Sequence, residues 1–310
     1  MKILLLGSTG QLGHALQSSL NGFGDLTALG RNELDLTFPD SKRIESVFNL
    51  YQPNWVINAA AYTAVDLAET DKKLAFQINA SVPEILAKLC TEHNAALVHF
   101  STDFVFDGFK NSPYVEEDAA HPLSVYGQSK LQGEEAIQQH CKNYLIFRTS
   151  WLMGSFGGNF LKTMLRLART KPELNVISDQ FGSPTPATWL AGVTRQAIEK
   201  IELINSKTSQ RDSDSLWGLY HASGAGVISW HQYARAVIDE GQHLGFNLTL
   251  NPQQVLPILA SNYPLPARRP NYSVLNCNKL TQAFNVTQPD WHQSILSVLN
   301  ELLGSTTSSS

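Results

Sequence analysis

The chain has 310 residues, 43% of them hydrophobic, with a formal net charge of −4. That length and apolar content suffice for one large domain or two closely joined ones. The charge, with no long basic run, excludes a nucleic-acid-coating surface and gives anions no long-range attraction, so bound phosphates must be held locally.

Cys90, Cys141 and Cys277 lie far apart, form no CxxC pair and leave one thiol over in any pairing, which points to a reducing compartment. The apolar run after Met1 is too short for a signal-peptide core, and no stretch approaches membrane-spanning length. A cytoplasmic protein with no membrane partner is expected. The Asn-x-Ser/Thr triplets at Asn79 and Asn247 then read as chance matches.

In chain order, short apolar runs at Lys2 to Leu6, Leu26 to Leu29, Trp55 to Asn58, Ala96 to Ser101 and Tyr144 to Thr149 read as strands. Segments Gln11 to Leu20, Ser41 to Tyr51, Ala75 to Cys90 and Tyr126 to His140 between them read as helices. This alternation predicts an α/β fold, a doubly wound parallel sheet of Rossmann type, with residues 1–150 as the dinucleotide-binding domain and the chain returning to it later. Beyond Trp151 the alternation loosens. Helices are expected at Asn159 to Ala168 and Thr188 to Ile204, a turn at Gly182 to Pro186, and a polar surface loop at Asn205 to Ser215. Pro257, Pro264, Pro266 and Pro270 punctuate a region suited to a smaller substrate-binding lobe, mainly residues 151–303. Residues 304–310 read as a disordered tail. No internal repeat is present.

Directly after the first strand, Gly7-Ser8-Thr9-Gly10-Gln11-Leu12-Gly13 gives a G-x-x-G-x-x-G spacing that opens a helix. Missing side chains let the backbone turn tightly, approach a pyrophosphate and present N–H groups where the helix dipole favours anions. Such a trio can also serve only as turn glycines. At the end of the second strand, Arg31 stands where many NAD-binding proteins have an acidic residue, so it either holds a 2′-phosphate, favouring NADPH over NADH, or is an ordinary surface arginine. Asp35 and Leu36 fall near the expected adenine, and Asn58-Ala59-Ala60-Ala61 lets a strand end pass close to a cofactor.

Tyr126 and Lys130 stand at i and i+4, on one face of a helix. A free tyrosine has a pKa of about 10; an ammonium ~5 Å away at an effective dielectric of ~20 contributes about 3 kcal/mol, roughly two units of lowering. Y-x-x-x-K also recurs by chance in helices. Here Ser101-Thr102-Asp103 ends the preceding strand, with Thr102 placed to hydrogen-bond a reacting oxygen.

Taken with GSTGQLG, INAAAYTAVDLAE, HFSTDFVFDG, YGQSKLQGE, FRTSW, NFLKTMLRLA, DQFGSPT and PARRPNYSVLN, the chain from Lys2 to about Leu303 resembles the dTDP-4-dehydrorhamnose reductase family of the extended short-chain dehydrogenase/reductases. The resemblance implies hydride transfer from NAD(P)H to the C4 ketone of dTDP-4-dehydro-L-rhamnose, with Tyr126 as proton donor, Lys130 its partner and Thr102 orienting the ketone. It implies cofactor contacts at Gly7, Gly10, Gln11, Leu12, Gly13, Ala61, Tyr62 and Thr63, and substrate contacts at Thr102, Asp103, Trp151, Arg268 and Arg269. Two positions depart from the pattern. Phe104 stands where relatives often have tyrosine, and His14-Ala15 lacks an acidic side chain seen in some relatives, which leaves open a dimer joined through a shared metal. A homodimer is one assembly the resemblance allows. The chemistry needs no metal, the nine histidines show no HExxH spacing, and His221 and His231 read as structural. Two other readings are a reductase of a different nucleotide-linked 4-keto-6-deoxy sugar and a non-catalytic regulatory subunit like that of methionine adenosyltransferase.

Overall fold

A computed structural model describes residues 1–207 and 214–307. Six strands form one parallel sheet: β1 (Lys2–Leu6), β2 (Asp25–Leu29), β3 (Trp55–Asn58), β4 (Ala96–Thr102), β5 (Tyr144–Thr149) and β6 (Gly218–His221), in the spatial order β6-β5-β4-β3-β1-β2. Alternate residues of each strand serve opposite faces. Ile3, Leu5, Trp55, Ile57 and Val98 pack with α1 (Gln11–Leu20), while Leu4, Leu6, Val56 and Leu97 pack with α2 (Ser41–Tyr51) and α3 (Val82–Glu92). Both faces are therefore covered, which is why these strands read as nearly continuous apolar runs.

The remaining long helices are α4 (Val125–His140), α5 (Phe160–Ala168), α6 (Ala187–Lys207), α7 (Trp230–His243) and α8 (Trp291–Thr307). α6 packs on α1 and joins the first core cluster with β6, so the chain returns to the dinucleotide-binding half. A separate core unites Leu161, Leu165, Tyr233, Val237, Ile295 and Val298 from α5, α7 and α8, forming the second lobe. Its strands are short, such as Leu152–Met153 paired with Thr185–Pro186.

Three expectations change. The helix over residues 75–90 begins earlier, at Lys72, and passes through a π-helical turn, Gln77–Ser81, before α3. α6 runs on through Lys207, three residues into the expected polar loop; residues 208–213 of that loop lie outside the described residues. α8 continues to Thr307, so residues 304–307 are helical rather than tail, and 308–310 lie outside the described residues.

The helix that carries the candidate acid–base pair is fixed to the sheet by a buried ion pair. Arg148 on β5 donates to both carboxylate oxygens of Glu134 on α4, at 2.9 Å from Nε and 2.6 Å from Nη2, and both side chains are almost fully buried. Glu134→Leu leaves the guanidinium buried without its partner and is expected to cost about 3–5 kcal/mol in urea unfolding. Glu134→Leu with Arg148→Met is expected to recover most of that loss.

Candidate active site

With β2 on one side of β1 and β3 on the other, the chain reverses direction across the sheet at β1, and a crevice opens beyond the carboxyl ends of these strands. The glycine loop forms its floor. Gly7 has φ +78°, and a Cβ there would lie 2.6 Å from the Ala60 nitrogen; a Cβ at Gly13 would lie 2.1 Å from the Gly7 carbonyl oxygen. No larger residue permits this approach of loop, helix and neighbouring strand end. Gly10 caps α1 without a side-chain hydrogen bond, which leaves first-turn N–H groups to receive an anion. A cleft of about 200 Å³ is lined by Gly7, Gly10, Arg31, Asp35, Leu36 and Ala61, among others. Its shape and donors fit the pyrophosphate and adenosine of a dinucleotide.

Several side chains at expected cofactor positions have partners within the fold. Leu12 turns into the apolar core, and Gly13 serves the close approach of α1. Gln11 reaches the second lobe, donating to the Leu152 carbonyl at 3.1 Å and accepting from Asn159 at 2.7 Å. Tyr62 is bracketed by Asn79, whose carboxamide accepts from its N–H and donates to its carbonyl, while the Tyr62 hydroxyl donates to Asp71 at 3.1 Å. Thr63 follows it, exposed. Arg31 is exposed at the rim; the nearby Glu33 carboxylate accepts from the Gly30 N–H at 2.9 Å. The Thr37 hydroxyl and N–H, both donating to Asp35, hold that carboxyl below its ordinary range.

The groups expected to react gather where β4 ends and α4 begins. Ser124 caps α4 by accepting from the Gly127 N–H, and Glu69 accepts from the Val125 N–H. Thr102 donates to the Asp103 carboxylate at 3.1 Å, and its hydroxyl accepts from the Phe104 N–H. Asp103 is 2% exposed, and its second oxygen has no hydrogen-bond partner among the described residues. Burial pushes this carboxyl up to about 6, against the pull of the nearby Ser273 and Thr102 hydroxyls.

Tyr126 departs from expectation. Burial pushes its hydroxyl up to about 12, the Thr102 hydroxyl opposes the rise, and the Asp103 charge adds to it. Lys130 lies on the same helix face, yet its ammonium is engaged elsewhere: Nζ donates to the Phe100 carbonyl at 2.6 Å and meets His99 Nε2 at 3.1 Å. Burial lowers Lys130 to about 8, with Glu134 opposing. The helical spacing does bring the pair together, but desolvation, acting on each group separately, outweighs the expected lowering of the tyrosine.

Across from Tyr126, the second lobe supplies a small pocket lined by Phe104, Trp151, Gln180, Phe181, Arg269 and Ser273. Trp151 stacks on Trp230 at 3.6 Å and sits at φ +43°, a conformation costly for a bulky residue and held here by packing. Phe104 meets Tyr126 edge-on at 5.7 Å. Arg269 lines both this pocket and a neighbouring groove, with its guanidinium bidentate on Asp66 at 3.0 and 2.6 Å; Arg268 is exposed on the groove.

Sequence reasoning missed Asp66, Asn79, His99, Gln180 and Ser273. Only His99 carried a signal of its own, an ionisable residue inside an otherwise apolar strand. His221 and His231 bond to backbone carbonyls of Tyr114 and Val255, as structural histidines do. Among the described residues, Asp239, Glu240 and His243 on α7 are the only group of metal-ligand type whose ligand atoms cluster within 4.8 Å. Glu240 there is hydrogen-bonded by His292. No helix of the described residues is long and apolar enough to cross a membrane.

Comparison with known proteins gives the family of the chain. The model of the RmlD substrate binding domain matches residues 1–303. A dTDP-4-dehydrorhamnose reductase of Shigella flexneri is 43% identical over 308 residues, 99% of each chain. Among solved structures, a dTDP-4-dehydrorhamnose reductase of Clostridium acetobutylicum superposes with a TM-score of 0.85 at 35% identity, covering 98% of this chain and 100% of that one. The Bacillus anthracis enzyme of that name, solved in complex with NADP, gives 0.83 at 32% identity over 97% and 99%. With a family model spanning nearly every residue and relatives alike from end to end, the chain belongs to the RmlD substrate binding domain family of dTDP-4-dehydrorhamnose reductases.

Proposed function

We propose that the chain reduces the C4 ketone of dTDP-4-dehydro-L-rhamnose to the alcohol of dTDP-L-rhamnose. The observation that supports this reading is Tyr126 packed edge-on against Phe104, which lines the pocket of Trp151 and Arg269, with the hydrogen-bonded Thr102 and Asp103 immediately before Phe104 in the chain. The names of the relatives support the substrate, and the NADP complex of one of them supports the cofactor.

NAD(P)H bound in the cleft supplies the hydride. Gly7, Gly10 and the first turn of α1 would hold its diphosphate, and Lys130 its nicotinamide ribose. Thr102 holds the ketone oxygen toward Tyr126. As the C4–H bond forms, the carbonyl π pair moves onto oxygen, and Tyr126 gives its hydroxyl proton to that oxygen. A tyrosine kept protonated by burial suits a donor to an alkoxide. Trp151 and Phe104 offer apolar faces to the sugar, and Arg269 offers charge for the nucleotide diphosphate. We place the enzyme in the cytosol, a reading supported by Cys90, Cys141 and Cys277, all three free and buried.

The test is oxidation of NADPH and NADH by purified protein with dTDP-4-dehydrorhamnose, made in place by the upstream epimerase, with product stereochemistry read by NMR. Tyr126→Phe is expected to lower kcat about a hundredfold or more while leaving cofactor affinity intact; retention of most of the rate refutes the assignment. A product of other stereochemistry would point to a different keto-sugar, and no oxidation on any keto-sugar to a regulatory subunit. Arg31 is the only cation among the described residues lining the cleft. Arg31→Ala is expected to weaken NADPH about tenfold more than NADH, and equal losses would end its role in choosing between them.

Asp103 links the site to stability. Its folded pKa of about 6 lies above the unfolded value, so the native state binds more protons than the unfolded state between about pH 4 and pH 6, and stability falls as pH rises through that window. Asp103→Asn removes the buried charge. It is expected to raise stability at pH 7.5 by about 1–3 kcal/mol, a gain that disappears below about pH 4, while turnover falls. Urea unfolding at the two pH values measures it.

A further inference from the structure

β4 reads Ala-Leu-Val-His-Phe-Ser-Thr, and every one of these residues is buried. An imidazole at the centre of such a strand needs partners for its ring nitrogens. His99 has one on each side: Nδ1 lies 3.1 Å from Asn58 Nδ2 on β3, and Nε2 lies 3.1 Å from Lys130 Nζ on α4. Asn58 in turn accepts from the Ala60 N–H at 3.2 Å, and Ala60 lines the dinucleotide cleft. Asn58 Nδ2 can only donate, so Nδ1 accepts and the neutral ring carries its proton on Nε2; a line of hydrogen bonds therefore runs from the cleft wall through Asn58 and His99 to the lone pair of Lys130 Nζ.

We propose that His99 is a positioning residue for the reduction, a neutral imidazole whose Nε2–H donates to the Lys130 amine and so fixes where Nζ sits and how readily it gives up its charge beside Tyr126. The inference rests on the reductase reading above. Two cations 3.1 Å apart in a buried site repel strongly, so the pair holds at most one positive charge. Burial disfavours charge on both groups, lowering His99 well below its ordinary range and Lys130 to about 8. The other charged and titratable groups around them are Glu134, one turn along α4, which raises Lys130; Arg148 on β5, paired with Glu134; Tyr126, one turn back; and Asp103 at the end of β4. Among the described residues, only Phe100 and His99 are within hydrogen-bond distance of Nζ.

The sign follows from the contact. A donor at Nε2 favours the neutral amine. Leucine at position 99 offers none, so Lys130 keeps its proton to higher pH; glutamine offers a carboxamide N–H and restores the donor. The pH dependence of kcat/KM for the keto-sugar and the Lys130 Cε shift in carbon-13 lysine-labelled protein are measured for wild type, His99→Leu and His99→Gln. In His99→Leu the alkaline limb and the NMR titration are both expected to move up by about one pH unit or more, and in His99→Gln to return. A Lys130 titration unchanged in His99→Leu overturns the proposal, as does an equal fall in kcat for both variants with no movement of the limb. Should His99→Leu not fold, His99→Asn, too short to reach Nζ, gives the same comparison. The NMR titration needs no turnover, so a wild type inert toward the keto-sugar would strike the reductase reading and still leave the His99–Lys130 contact to be judged.

Discussion

A helix that presents polar side chains to a sheet interior must find each of them a partner, and α4 presents three in succession. Tyr126, Lys130 and Glu134 follow at intervals of four on one face, and each meets β4 or β5: Tyr126 at Thr102, Lys130 at His99 and the Phe100 carbonyl, Glu134 at Arg148. Burying a polar group without a hydrogen bond costs kilocalories, and burying an unpaired charge costs more. Sliding α4 by one turn would unpair all three. The register of the helix over the sheet is therefore set by electrostatics as much as by shape, and the acid–base group is held at one end of a line anchored at the other by the Arg148–Glu134 pair. Close approach makes this possible: a Cβ at Gly133 would lie 2.1 Å from the Asn79 carbonyl oxygen, and Asn79 itself bonds Ser129 on α4 and the backbone of Tyr62. The π-helical turn sits at this point, where one residue must serve the helix and the cofactor-side loop at once.

The two lobes are tied through the same region. Gln11, in the first turn of α1, bonds the Leu152 carbonyl and the Asn159 side chain, and Asn159 caps α5. Asp66, beyond the Ala61 strand end, holds Arg269 in a bidentate pair and accepts from the Ala267 N–H. The first tie begins beside the glycine loop and ends in the second lobe; the second begins on the short helix Val65–Ala68 and ends on Arg269, which lines the pocket of Trp151. The cleft for the reductant and the pocket for the ketone thus share a frame, which hydride transfer demands, since it succeeds only when the reacting atoms are brought close in a fixed orientation.

Much of this was legible in the sequence, and what was legible is local. β1, α1, α2, β3 and β5 stand at the boundaries read from apolar periodicity, because each element is bounded by turn residues and covered on the expected face. The glycine spacing placed the cleft, and the Tyr-to-Lys spacing placed the pair. The second lobe was not legible in the same way: its strands span two to four residues and pair over long separations, as Phe181–Gly182 does with Ile228–Ser229, too short for any period to show. The resemblance implies cofactor contacts at Gln11 and Leu12; helix geometry turns the Leu12 side chain to the core and the Gln11 side chain to the far lobe, which leaves their backbone N–H groups for a phosphate. Asp66, Ser273 and Asn79 gain meaning only from contacts across the fold.

The same locality explains the reversed sign at Tyr126. Helical spacing gives the distance between two charges but not the medium they sit in. In the folded chain, burial moves every reacting group toward its neutral form: the tyrosine up to about 12, the lysine down to about 8, the aspartate up to about 6. A neutral, oriented tyrosine hydroxyl in a poorly screening medium interacts weakly with a neutral ketone and strongly with the negative charge that grows on its oxygen. The donors are already in place, so little reorganisation accompanies the reaction. Desolvation, which opposes the simple ion-pair account of tyrosine activation, thereby favours the transition state over the ground state.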